Sequence, residues 1–362
     1  MNKRIISCVL AVSVLFSVLA GCSSASETTA SVSDTTTVET SASVTQTTEE
    51  SETTEETAPS RCNGHYTFQT HVFPSKLEEI MGPAAHEAYD NMIDAVLAGE
   101  DYFDVADSET YDWVIGQFAY ACFPVIDDYI ESGYAEGFSN GRGKITYLIP
   151  KEELQQKIAD FEQEITDILN ENLEDDYSDF EKALALYLYM SRNYTYDNYM
   201  MDHSSEMTVS AYQTLQDKSG ICQGLSELYS FLLLEAGVDA TVMKSLFTAD
   251  MGGHQWSYVK INGQYYHIDP TFALQSNDSL EYFMMNDSKR EEAGYDPSAC
   301  ILTINYGSGP EHGMTITDDT YSPLWNGQFS RLDRTNRILY YWTDDEDFNR
   351  VEAQFDYGAV GN

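Results

Sequence analysis

HQWSYVKINGQYYHIDPT, residues 254–271, decides how the middle of the chain folds. Asn262-Gly263 lies between two runs of alternating apolar residues, a strong short-range signal for a β-hairpin with a two-residue turn. With that turn, Ile261 flanks Gln264, Tyr258 faces His267 and Trp256 faces Asp269. Side chains alternate along a strand, so His254, Trp256, Tyr258, His267 and Asp269 share one face, while Val259, Ile261, Tyr266 and Ile268 share the other. Asp269 is then a diagonal cross-strand neighbour of His254, about 7–8 Å away and within reach of a long side chain. A slip of one residue would place the two on opposite faces.

Upstream stands GICQGLSELYSFLLLEAG, residues 220–237. Leu225, Leu228, Leu232 and Ala236, with Tyr229 and Leu233, mark an amphipathic helix that Gly237 ends as a C′ residue. Cys222 falls within a turn of its start. Unpaired N–H groups and the helix dipole favour a thiolate there, and the Cys222 N–H is placed to hold an oxyanion. An imidazole beside the sulfur, steadied by a carboxylate, completes the logic of a catalytic triad: Cys222, His254, Asp269. Each residue alone has a plainer reading, as a small buried hydrophobe, a structural histidine or a turn opener. Their order and shared face are what raise the catalytic reading. Cys222, His254, His267 and Asp269 could also ligate a metal, but the chain lacks the close ligand pairs of zinc sites, so neither metal nor other cofactor is expected.

Around this centre the pattern reads as scaffold. Helices are expected over about 83–98, 111–130, 151–173, 179–193 and 209–215, the fourth with Asp179 as N-cap. Strands are expected near 145–149 and 240–246, and a strand pair over 329–332 and 338–342.

These motifs resemble the transglutaminase-like superfamily. Gly220-Ile221-Cys222-Gln223-Gly224 is similar to its G-x-C at a helix start, His254-Gln255-Trp256 to its H-x-W on a strand, and Asp269-Pro270-Thr271 to its D-x-T. Glu181 to Tyr196 resembles the segment before the cysteine, and Leu280 to Ser288 the segment after the aspartate in bacterial members. The resemblance is good from about Asp179 to Asp296, looser over 88–147, and fades after Cys300. It implies an α+β, papain-like core: a catalytic helix packed on an antiparallel sheet, preceded by a helical N-terminal region. It implies Cys222 as nucleophile, His254 as base and acid, Asp269 orienting the histidine, and acyl transfer through a thioester. Gln213, Tyr196 and Trp256 are the candidates for the cleft and the second oxyanion donor.

The N-terminus gives an address. Lys3 and Arg4 precede an apolar run to Leu19, and Leu19-Ala20-Gly21-Cys22 resembles a bacterial lipobox. The expectation is a signal peptide over 1–21, lipid on Cys22, and a disordered Ser/Thr/Glu-rich tether over 22–60. A flexible chain of that length reaches about 35 Å. The folded part then divides into a mostly helical region (61–175), a catalytic domain (176–320) and a C-terminal β-rich appendage (321–362). The formal net charge of −41 excludes binding nucleic acid through its phosphates and leaves lipid on Cys22 as the membrane attachment. The reading that results is a lipid-anchored enzyme on the extracellular face of a bacterial membrane, acting on protein or peptidoglycan peptide amides. A non-catalytic surface-binding module using the same cleft is the alternative, and a passive solute-binding lipoprotein a third.

Overall fold

The structure is a computed structural model that describes residues 63–360 apart from 119–121, 132–134, 246–252 and 303–314. The expected leader, lipid site, tether and Cys62 lie outside the described residues.

The hairpin forms as the sequence requires. Strands Gln255–Ile261 and Gln264–Ile268 pair antiparallel with Tyr258 opposite His267 and Ile261 opposite Gln264. Asn262 (φ 51°) and Gly263 (φ 79°) take the two left-handed positions of the turn. The hairpin extends into a four-stranded antiparallel sheet in the order Gln264–Ile268, Gln255–Ile261, Ala240–Ser245, Cys300–Leu302.

The helix Cys222–Glu235 lies against this sheet. It is not amphipathic in place: every residue from Gly224 to Glu235 is buried. Three layers cover it. The Ser230 and Ser257 hydroxyls bond at 2.9 Å on the sheet side. Tyr229 donates to the Ala183 carbonyl of the helix Asp179–Asn193 (2.9 Å). Phe161 and Phe68 of the N-terminal region pack on Phe231. A helix covered all round still needs partners for its polar groups. Glu235 meets this with one oxygen only, Oε2, which accepts from the Gln69 backbone N–H (2.8 Å).

Several elements differ from expectation. The stretch expected as one helix over 111–130 is broken. A helix Ser108–Trp113 passes into a π-helical turn Val114–Phe118, and a new turn of helix opens at Pro124, whose ring cannot continue a helix. The short strand lies at Arg142–Lys144 rather than 145–149, paired with Tyr102–Asp104 and Phe138–Ser139. Ser178, not Asp179, caps the helix Asp179–Asn193, in a capping box with Glu181. The helix expected over 209–215 spans Ala211–Asp217, capped by Ser210. The C-terminal pair is a three-stranded meander, Gln328–Asp333, Ile338–Asp344 and Arg350–Asp356. Its Phe355 and Tyr357 belong to the same hydrophobic core as Leu225 and Phe161. Tyr357 stacks on Phe180 at 4.9 Å and bonds Glu181 Oε1 (2.6 Å). The fold is α+β, with helices ahead of the antiparallel sheet.

Candidate active site

Cys222 is the first residue of its helix, and Ile221 supplies no side-chain cap. The opening N–H groups therefore face the cleft without an intrahelical partner. The local chain is forced into place by close packing. Gly220 pairs in a short parallel ladder with Tyr196. A Cβ on Gly224 would run into Thr214 Oγ1 and the Ser210 carbonyl. Gly224→Ala is expected to destabilise the fold by about 1–3 kcal/mol, as overpacking does, and to shift the helix start. A denaturation midpoint unchanged from wild type would contradict that packing.

His254 Nε2 and Asp269 Oδ2 stand 2.7 Å apart. That contact spends Nε2 on Asp269 and leaves Nδ1 for Cys222, which lines the same cleft as His254. His254 and Asp269 are both buried, while Cys222 is half-buried and open to the cleft. Burial opposes a charged imidazole, but the Asp269 carboxylate and the bond to it, aided by Cys222, push His254 up to about 9. Burial alone would raise Asp269; His254 and Arg290 instead hold it well below the usual carboxylate range.

Asp269 spends its other oxygen locally. Oδ1 accepts from the N–H groups of Thr271 (3.1 Å) and Phe272 (3.2 Å), capping the turn Pro270–Ala273. Arg290, which the sequence reading missed, donates to Oδ2 at 2.7 Å. Its guanidinium is fully buried and lies over Trp256 (4.6 Å), Tyr295 (5.1 Å) and Phe272 (5.4 Å). The His254 ring rests on two of the same aromatics, Phe272 at 4.6 Å and Tyr295 at 4.8 Å.

The other candidates separate. Trp256 is fully buried, stacks near His254 (5.9 Å), and donates its indole N–H to His267 Nδ1 (3.0 Å). Its donor is therefore spent. His267 must carry its own proton on Nε2, facing Asp287 at 3.0 Å. Burial lowers the His267 pKa, with Asp287 opposing. Both of its nitrogens are occupied, so it is no spare metal ligand. The Gln213 amide bonds Asp217 Oδ2 on its own helix (3.0 Å) and is not among the residues lining the cleft. Tyr196 sits in the ladder beside Gly220; burial, then Cys222, raises its phenol to about 12, so it remains a donor at neutral pH.

A cleft of about 550 Å³ opens on Cys222 and His254. Gln255 ties its floor together. The amide donates to Glu227 Oε1 (3.1 Å) and to the Gln223 carbonyl (3.4 Å), locking the strand next to His254 onto the first turn of the Cys222 helix.

Residues 163–270, which include Cys222, His254 and Asp269, match the family model of the transglutaminase-like superfamily. The chain carries a transglutaminase-like domain. No protein of curated function matches the sequence. Solved structures similar to it include one described as "a Putative Cysteine Protease from Cytophaga hutchinsonii", 19% identical over 25% of this chain and 31% of that one (TM-score 0.22). Another is described as "a TGase", 17% identical over 36% of this chain and 35% of that one (TM-score 0.28). The chain thus spans about a third of the length of each. The transglutaminase-like domain accounts for the sequence motifs; Arg290 lies beyond the matched segment.

Proposed function

We propose that the protein is a cysteine-dependent acyl-transfer enzyme, held by lipid on Cys22 outside a bacterial membrane, that attacks protein or cell-wall peptide amides. One observation supports it above others: the imidazole of His254, 2.7 Å from a buried carboxylate, lines the same cleft as Cys222 at the start of its helix. The Cys222 sulfur adds to the amide carbonyl, and the resulting oxyanion turns to the N–H groups at the helix start. With its pKa near 9, His254 carries a second proton at pH 7. That proton passes to the nitrogen of the leaving amine as the C–N bond breaks, leaving a thioester and a neutral imidazole. Water or an amine then attacks the thioester and gives its proton to His254, and the sulfur departs as thiolate. Hydrolysis and transamidation differ only in that second nucleophile.

Among the described residues, the competing thiols are quiet. Cys122 and Cys300 are buried and free, and burial pushes Cys300 up to about 12 and Cys122 up as well. A peptide library offered at pH 7 is therefore expected to leave an acyl adduct on Cys222, read by mass, and none on the Cys222→Ala variant. A folded protein that acquires no adduct, and whose Cys222 is alkylated by iodoacetamide no faster than in the denatured chain, would instead be the surface-binding module. Adding a labelled amine separates transfer from hydrolysis.

A further inference from the structure

The chain has 60 acidic residues against 19 basic ones, yet no Asp or Glu is among the described residues that line the cleft. Lys244 does line it. On strand Ala240–Ser245 it pairs directly with Gln255, the neighbour of His254. Residues directly opposite in an antiparallel pair present their side chains to the same face. The Gln255 side chain turns toward Gln223 and Glu227 on the Cys222 helix, so Lys244 points the same way, into the mouth of the cleft.

Lys244 is half-buried, and its ammonium group has no ion pair or hydrogen bond among the described residues. Burial lowers its pKa, and only Glu227 opposes this. Glu227 is itself raised well above its ordinary value by burial, and its Oε1 is engaged by the Gln255 amide. A partly desolvated ammonium without an ion-pair partner is well placed to take an anion. The other walls, Met201, Val209 and Ile221 with Ser204, Ser205 and Ser245, hold no carboxylate to supply one.

We propose that Lys244 forms a carboxylate-binding subsite, so that the preferred acyl donors of Cys222 carry a carboxylate near the attacked carbonyl on an otherwise uncharged chain. This rests on the acyl-transfer reading. The carboxylate could belong to an acidic side chain or to a chain terminus.

Three probes of nearly equal size separate these cases. Bromoacetyl-glutamine has a free C-terminus. Bromoacetyl-glutamate amide has only a side-chain carboxylate. Bromoacetyl-glutamine amide has neither. The rate of Cys222 alkylation by each is followed by mass, and the ratio of acid to neutral rates is taken so that a general change in reactivity cancels. One of the acids is expected to react about five- to tenfold faster than the neutral probe, the scale of a partly screened charge-assisted contact. Lys244→Gln is expected to abolish that preference and Lys244→Arg to keep it. Whichever acid is favoured names the source. A ratio that is the same in wild type and Lys244→Gln overturns the subsite, because His254 would then account for any attraction. Cys222 reacting with no probe faster than in the denatured chain overturns the acyl-transfer reading instead.

Discussion

His254→Ala is expected to slow acylation of Cys222 by an amide by about 100-fold or more, the lower part of what a positioned acid–base group contributes. The expected pH dependence is sharper still. Departure of the amine needs the proton on His254, and that proton is bound below a pKa of about 9. Acylation of the wild type is therefore expected to decline as pH rises through about 9. Alkylation by iodoacetamide needs no general acid and should show no such decline. Asp269→Asn removes the charge that overcomes burial, so the His254 pKa falls and the alkaline limit moves to lower pH. The rate against pH for a trapped amide substrate reads all three. An alkaline limit that stays in place in Asp269→Asn would mean that the Asp269 charge does not set the proton affinity of His254.

The parts of this site that were legible in the sequence are the local ones. Asn262-Gly263 dictates its own turn, and alternation then carries His254 and Asp269 to one face without further information. Gly220 and Gly237 bracket a helix because backbone conformation and close packing leave few other choices there. What was not legible depends on distant segments. The Cys222 helix reads as one-sided, but Phe68 and Phe161 from the N-terminal region cover its other side. Arg290 lies in Asp287-Ser288-Lys289-Arg290-Glu291-Glu292, a run that reads as an exposed charged helix. Its burial needs a carboxylate and three aromatic rings brought by separate elements. Gln213 looked suited to an oxyanion by chemistry alone, and its own helix supplied a closer partner in Asp217. The one available signal for Lys244 was a cation, scarce in this chain, beside the hairpin that carries His254 and Asp269.

Arg290→Met is expected to cost about 3 kcal/mol of stability, the lower end of the range for removing one member of a buried ion pair. The low end applies because Asp269 keeps three partners: His254 at 2.7 Å and the N–H groups of Thr271 and Phe272. Methionine preserves much of the contact with Trp256, Phe272 and Tyr295, so the loss reports mainly the charge. In Arg290→Met/Asp269→Asn, the second change removes the uncompensated carboxylate, and the double variant should be more stable than the two single losses summed. The same substitution predicts a functional sign. Arg290 and His254 share Asp269 Oδ2, and removing the competing cation leaves that oxygen to the imidazolium. The His254 pKa should then rise above about 9, moving the alkaline limit of acylation upward, opposite to Asp269→Asn. A general loosening of the site would admit water and weaken the His254–Asp269 contact, moving the limit down in both variants. Opposite shifts therefore assign Arg290 to tuning the triad's charge, and parallel shifts assign it to packing alone.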